Sequence, residues 1–81
     1  MRVHYSESFL KSYASAPKEI KKALDKQVSF LLLDLRHKSL QAKKHKSFKG
    51  IWQARVTKSW RFYFNIQGDT YHLINIMPHP K

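Results

Sequence analysis

With 81 residues, 42% of them apolar, the chain can build one modest core, and we predict a single domain over residues 1–81. The absence of cysteine excludes disulfides and thiolate metal sites, and no apolar run could span a membrane, so we expect a cytoplasmic protein. The net charge is +11, and residues 35–81 hold ten of the 16 basic residues but one of the five acids, which favours a nucleic-acid partner over a membrane.

The chain opens with a short predicted strand and a short helix. Residues 3–5 are β-branched and aromatic, and either Ser6 or Ser8 can cap the helix that follows. The expected apolar side of this helix contains Phe9, Leu10 and Tyr13.

A longer amphipathic helix follows, and Pro17 suits its first position. Its apolar residues repeat every three or four positions, at Ile20, Leu24, Val28, Leu31 and Leu35. Three more apolar residues widen the stripe near the C-terminal end: Phe30, Leu32 and Leu33. They belong either to the core, which we favour, or to a patch for a partner.

Residues 36–49 contain six Lys or Arg, two His and no acid. We interpret this stretch as a polar, basic connector held to the core by Leu40 and Phe48. Its lysines would contact phosphates without reading bases, so binding would depend strongly on salt.

Three strands are predicted after the connector. Residues 52–57 and 60–66 alternate between apolar and polar side chains, and their phase places Trp52 and Trp60 with the core. Gly68-Asp69 fits a type II′ hairpin turn, with glycine first. Residues 71–77 form the third strand, which is apolar on both faces and therefore expected to be central.

The alternation also predicts a pair of facing arginines. If residues 57–59 form a three-residue turn, Val56 pairs with Trp60, and Arg55 lies opposite Arg61 on the face away from the helices. Like charges in that position repel each other. Either an anion sits between them, or the two side chains splay apart in solvent. Tyr63, in phase with Arg61, could stack on a base.

His79 follows the third strand, so Arg55, Arg61 and His79 are candidates to converge at one end of the sheet. Two permanent cations and a titratable ring suit chemistry on a phosphodiester.

The order of these elements, with K-G-I-W-Q-A-R-V, S-W-R-F-Y-F, the G-D hairpin and the terminal histidine, resembles the RelE/ParE toxin superfamily and its RelE/YoeB-like mRNA-cleaving branch. The resemblance covers essentially the whole chain. With the element pattern, it implies an α+β fold in the order β-α-α-β-β-β, with two N-terminal helices packed on one face of a small, largely antiparallel sheet.

The resemblance also implies roles for particular residues. Arg61 matches the arginine that contacts the scissile phosphate, Arg55 a second basic position, and His79 an acid–base histidine. The remaining RNA-binding candidates are Lys43, Lys44, His45, Lys46, Lys49 and Tyr63.

Two features depart from the pattern of the YoeB-like members. Pro80 stands where they have a tyrosine, and their glutamate base has no counterpart, since residues 35–68 contain no carboxylate. Either His45, His72 or a lysine supplies the base, or the chain cleaves RNA weakly or not at all. His72 is otherwise expected to pack or hydrogen-bond on the sheet, and His4 and His37 to be incidental. The histidines lack ligand spacing, so neither metal nor cofactor is expected.

The resemblance therefore implies a type II toxin that cleaves mRNA on the ribosome and that an acidic antitoxin neutralises. We expect this cleavage to proceed without a metal, by attack of the ribose 2′-hydroxyl. The alternatives are a ParE-like inhibitor of DNA gyrase, which is not an enzyme, and a basic RNA-binding module with little catalysis.

Overall fold

The computed structural model describes residues 1–79, and within them the order of elements is β-α-α-β-β-β-β. The helices and strands are β1 (Arg2–Tyr5), α1 (Glu7–Ser15), α2 (Lys18–Leu33), β2 (Lys43–Lys44), β3 (Trp52–Thr57), β4 (Trp60–Gln67) and β5 (Thr70–Pro78). In this range the strands form one sheet in the order β1-β5-β4-β3-β2, with β1 parallel to β5 and the other neighbours antiparallel. The predicted α+β fold is confirmed, and β5, as expected, has a strand on each side.

The core lies between the helices and one face of the sheet. Its most completely buried side chains are Phe9, Leu24, Leu31, Leu40, Phe62, Phe64, Leu73 and Ile76. Trp52 and Trp60 are half-buried and pack against this core, as their alternation phase predicts.

Helix α1 begins at a serine cap. The Ser6 hydroxyl accepts from the Phe9 N–H at 3.0 Å and donates to the Ile74 carbonyl at 3.1 Å, so one side chain both starts the helix and joins it to β5. Ser6 rather than Ser8 is therefore the cap. Leu10, expected on the apolar side, is 51% exposed because the packed side of this short helix is centred on Phe9.

Helix α2 packs on the sheet through the predicted stripe. Pro17 was predicted at the first helical position but is the N-cap, and the helix begins at Lys18. The helix ends at Leu33, so Leu35 lies in the loop beyond it. The expectation that Leu32 and Leu33 join the core is wrong, since they are 43% and 80% exposed. Only one side of the helix faces the sheet, and these two residues lie outside that side.

The hairpin between β3 and β4 differs from the prediction in its turn. Lys58 and Ser59 alone form the turn, since Thr57 pairs with Trp60, and the register shifts between Arg55 and Thr57. The predicted Val56–Trp60 pair is therefore wrong. A bulge at Val56 admits the two-residue turn that hairpins favour, keeps Val56 buried, and still leaves Arg55 opposite Arg61.

The hairpin between β4 and β5 follows the prediction. Gln67 pairs with Thr70, and the first turn residue, Gly68, has a φ of 58°. Asp69 does not have a positive φ, so the turn is of type II′. A second register shift occurs at Ile74 in β5.

The basic connector is more structured than predicted, because β2 forms inside it and pairs with β3. Leu40 is fully buried, as expected, but Phe48 is 63% exposed and is not an anchor. A residue that was not predicted supplies the attachment. The buried Gln27 donates from Nε2 to the carbonyls of Ser39 at 3.0 Å and Arg55 at 2.7 Å.

Candidate functional site

The candidate site lies on the sheet face that the helices leave uncovered, which we call the open face. Alternation along the strands places polar and titratable side chains there. The side chains assigned to this face by phase and register are Lys43, Gln53, Arg55, Arg61, Tyr63, Asn65, His72 and Met77.

The facing arginines are present as predicted, since Arg55 and Arg61 are register partners on β3 and β4. The Arg55 N–H donates to the Leu40 carbonyl at 2.7 Å, and the Arg55 carbonyl accepts from Gln27, so both groups point away from β4. Arg55 and Arg61 therefore form a pair without mutual main-chain hydrogen bonds, the type with the closer Cα atoms, about 4.5 Å apart.

No carboxylate neutralises this pair within the described residues. The ion pair found in residues 1–79 joins Arg2 to Asp69, at 3.8 Å between Nε and Oδ2, and both of its side chains are largely exposed. Two half-buried arginines are thus cross-strand neighbours with no acidic partner among residues 1–79. This arrangement is suited to an anion that can bridge them.

Main-chain carbonyls hold the Arg61 side chain in place. Its Nη1 donates to the carbonyls of Thr57 at 2.7 Å and Trp60 at 3.0 Å, so the guanidinium folds back over the β3–β4 turn. Carbonyls orient the group without cancelling its charge. Such a pre-positioned cation suits charge that develops on a phosphate.

His79 lies at the same end of the sheet as the two arginines. Its N–H donates to the Ser59 carbonyl in the β3–β4 turn at 2.6 Å, one residue beyond the Trp60–Pro78 pair. Continued strand alternation places its side chain on the side of Met77, the register partner of Arg61. The backbone thus brings the three predicted residues to one end, with the His79 side chain exposed. Pro80 lies outside the described residues.

A shallow cavity of about 350 Å³ opens on the same face, lined in part by Met77, the register partner of Arg61, although neither arginine lines it. Its lining is mainly aromatic and aliphatic, and consists of His45, Phe48, Ile51, Tyr63, Ile74, Asn75 and Met77. The His45 ring lies 6.1 Å from the Tyr63 ring and 5.1 Å from the Phe48 ring, measured between centroids. Tyr63 was predicted as a stacking residue on the open face, and it lines this cavity. Ile74 and Met77 were missed, although the apolar character of both faces of β5 was a signal for them.

The predicted lysines do not share one surface. Lys43 is paired with Gln53 and so lies on the open face, whereas Lys44 is paired with Trp52 and places its Nζ 5.8 Å from that indole ring. A separate groove of about 560 Å³ runs along the connector. It is lined by Lys44, His45, Lys46, Ser47, Lys49 and Gly50. His45 lines both cavities.

The other histidines lie away from the arginines. His72 pairs with Asn65, four residues along β4 from Arg61, which corresponds to about 13 Å of strand. His37 stacks on Phe30 with 3.9 Å between ring centroids and so has a packing role. Of the two histidines considered as a base, His45 is the nearer to the arginine end, through its contact with Tyr63.

Solved structures share this fold at low sequence identity, while no protein-family model and no curated protein matches the chain. A YoeB/ParE toxin from Agrobacterium tumefaciens aligns with a TM-score of 0.81 and 15% identity, over 99% of this chain and 100% of that one. RelE in the RelB–RelE antitoxin–toxin complex from Methanococcus jannaschii aligns with a TM-score of 0.78 and 19% identity, over 93% of this chain and 88% of that one. YafQ from E. coli strain BL21(DE3) aligns with a TM-score of 0.78 and 18% identity, over 96% of this chain and 93% of that one.

The chain therefore shares the fold of these YoeB/ParE, RelE and YafQ toxins, as the sequence resemblance implied. Identities below 20% in these three alignments do not carry residue roles across, so the roles of Arg61, Arg55 and His79 depend on the geometry described above. Within residues 1–79, neither helix has the length and apolar character needed to cross a membrane.

Proposed function

We propose that the protein is the toxin of a toxin–antitoxin pair and cleaves mRNA on the ribosome, which places it in the cytoplasm. The observation that carries the proposal is the Arg55–Arg61 pair on the open face, which has no carboxylate partner within residues 1–79 and lies near a cavity lined by aromatic rings. The arginines would bind the scissile phosphate, and the rings of Tyr63, His45 and Phe48 would contact the nucleobase next to that phosphate. The connector lysines would contact the RNA backbone.

The chemistry requires neither a metal nor a cofactor. A base removes the proton of the ribose 2′-hydroxyl, and the 2′-oxygen bonds to phosphorus while the bond from phosphorus to the 5′-oxygen breaks. An acid gives its proton to that 5′-oxygen, which leaves a 2′,3′-cyclic phosphate and a 5′-hydroxyl. Arg61 and Arg55 would stabilise the negative charge that builds on the phosphate oxygens.

We assign the role of general acid to His79 and that of general base to His45, whose Nδ1 accepts from the Ser47 N–H at 3.1 Å and would exchange this contact for the 2′-hydroxyl proton. His45 contacts Tyr63 on the open face and lines the cavity, whereas His72 is four residues further along the sheet. His79 is tied through its main chain to the turn that also holds Arg61. An imidazole can serve in either role at neutral pH.

The inferred inhibitor is an acidic antitoxin. The solved RelE structure from M. jannaschii is a complex with RelB, and other similar structures are complexes with RelB or DinJ. A net charge of +11 favours an acidic protein partner for the same electrostatic reason that it favours RNA.

The deciding experiment is an in vitro translation reaction in which cleavage of a defined mRNA is mapped. The wild type should cut, and a message with one 2′-deoxynucleotide at the cleavage position should stay intact, because the nucleophile is missing. Arg61→Gln should lower the rate by about 10²–10³. Lys58→Gln, which removes a charge from the same turn, is the matched control and should cut normally.

The histidine assignments are tested in the same reaction. His45→Gln and His79→Gln should each slow cleavage, within the roughly 10²–10⁴ range of acid–base catalysis, while His72→Gln should not. Normal cleavage by the Arg61 and His79 variants would show that the site is wrong. Binding of RNA without any cleavage would favour the RNA-binding module, and inhibition of gyrase supercoiling without RNA cleavage would favour the ParE-like alternative.

A further inference from the structure

A second cluster of titratable side chains lies on the open face, away from the arginines, where β1 runs parallel to β5. His4 and His72 are register partners there, although 68 positions separate them in the chain. Their Nδ1 atoms are 3.4 Å apart, so one ring donates a hydrogen bond to the other when no ion is bound, and the rings meet edge to face with 5.3 Å between centroids. His4 is exposed and His72 half-buried, so solvent reaches the pair.

The separation of the two nitrogens matches a pair of metal ligands. Two imidazole nitrogens, each at about 2.0–2.1 Å from a tetrahedral ion, lie roughly 3.4 Å apart. Neutral imidazole is a common ligand for divalent transition ions. A square-planar ion would require adjacent nitrogens to be closer than this. The geometry therefore favours an ion with a tetrahedral preference, such as Zn²⁺.

The neighbouring strand contains a polar atom that lacks a partner. Asn65 is the register partner of His72 on β4, and among the described residues its Oδ1 is buried without a hydrogen bond. Buried acceptors are rarely left unpaired. Water bound to a metal ion is a strong donor and would be the chemical complement of this oxygen.

The charged neighbours of the pair permit a cation there. Arg2 precedes His4 by two positions on β1, but its charge is partly offset by Asp69 at 3.8 Å. The Arg55–Arg61 pair is more distant, since Arg61 lies four residues along β4 from Asn65, the register partner of His72.

We propose that His4 and His72 form a two-histidine site for Zn²⁺ or a similar divalent ion, with water completing the coordination. The ion would cross-link the edge strand β1 to β5, and so join the first strand to the last. Spacing along the sequence gives no sign of such a site, because a parallel pair brings together residues that are distant in the chain. In residues 1–79 no group of three or more His, Asp or Glu side chains is arranged to hold a metal. The site thus rests on two protein ligands.

Thermal unfolding with and without Zn²⁺ tests the proposal. An ion that binds the folded state raises the melting temperature, and we expect a rise of several degrees at saturating Zn²⁺. His4→Gln and His72→Gln should each abolish the rise, and the double variant should respond like either single variant. His37→Gln, a histidine stacked on Phe30, should retain it.

His72→Gln is the decisive variant. If it keeps the Zn²⁺ response while His4→Gln loses it, the ion is bound by His4 and groups near the N-terminus, and the proposal is overturned. Imidazole ¹⁵N resonances of the wild type give a second measurement that does not depend on how the variants fold. Zn²⁺ should shift the resonances of His4 and His72 and leave those of His37 unchanged. Shifts confined to other histidines would also reject the site.

Discussion

The two faces of this sheet are built by alternate residues of the same strands, and they differ in almost every physical respect. On the helix side, Phe62, Phe64 and Leu73 are completely buried. On the open face, Arg61, Tyr63 and His72 remain partly exposed, and the arginine has no acidic partner within the described residues. Burial on the first face stabilises the fold. The second face keeps like charges and titratable rings in positions that folding alone does not require.

The largest expected contrast in stability is between two neighbouring residues of β4. Phe62→Ala should lower the free energy of unfolding by about 3–5 kcal/mol, because it leaves a cavity among fully buried side chains. Tyr63→Ala should cost much less stability and instead weaken RNA binding, since Tyr63 lines the open cavity. Urea denaturation followed by circular dichroism measures both. Equal destabilisation by the two changes would show that the open face is a second core.

A smaller effect is expected at Gln27, which connects the two regions. Gln27→Leu leaves the carbonyls of Ser39 and Arg55 without this donor, and we expect a loss of roughly 1–3 kcal/mol. Gln67→Leu changes an exposed glutamine and is the control, expected to fall within about 0.5 kcal/mol of the wild type. If Gln27→Leu is as stable as its control, the connector is attached to β3 by other contacts.

The smallest effect is expected at the C-terminal end of α2. Leu33→Gln should change the free energy of unfolding by no more than about 0.5 kcal/mol, because the side chain is 80% exposed. Leu31→Ala, two positions earlier but 1% exposed, should cost about 2–5 kcal/mol. Both are measured by chemical denaturation. A large loss for Leu33→Gln would mean that this leucine is covered in solution.

The sequence predicted the core face better than the site. Period-two alternation in β3 and β4 and the helical repeat of α2 were sufficient for the layers. The Arg55–Arg61 pair was predicted from a three-residue turn that the structure lacks, and it is present because the bulge at Val56 compensates for the shorter turn. The same logic failed at Val56, where a bulge shortened the turn, and at Leu32 and Leu33, where apolar character did not mean burial. The helical repeat identified the side of α2 that meets the sheet, but apolar residues outside that repeat did not have to be buried.

Composition and periodicity were sufficient for the main helices and strands, for the basic half of the chain and for which strand residues share a face, because these properties depend on neighbours in sequence. The arrangement of the elements as an α+β fold was implied by the family resemblance together with their order. Only the tertiary structure decided that carbonyls of the turn hold Arg61, that Gln27 supports Arg55, and that His4 meets His72. Each of these contacts depends on a turn, a bulge or a pairing of distant strands. Such geometry arises when the whole chain packs, and no local period in the sequence encodes it.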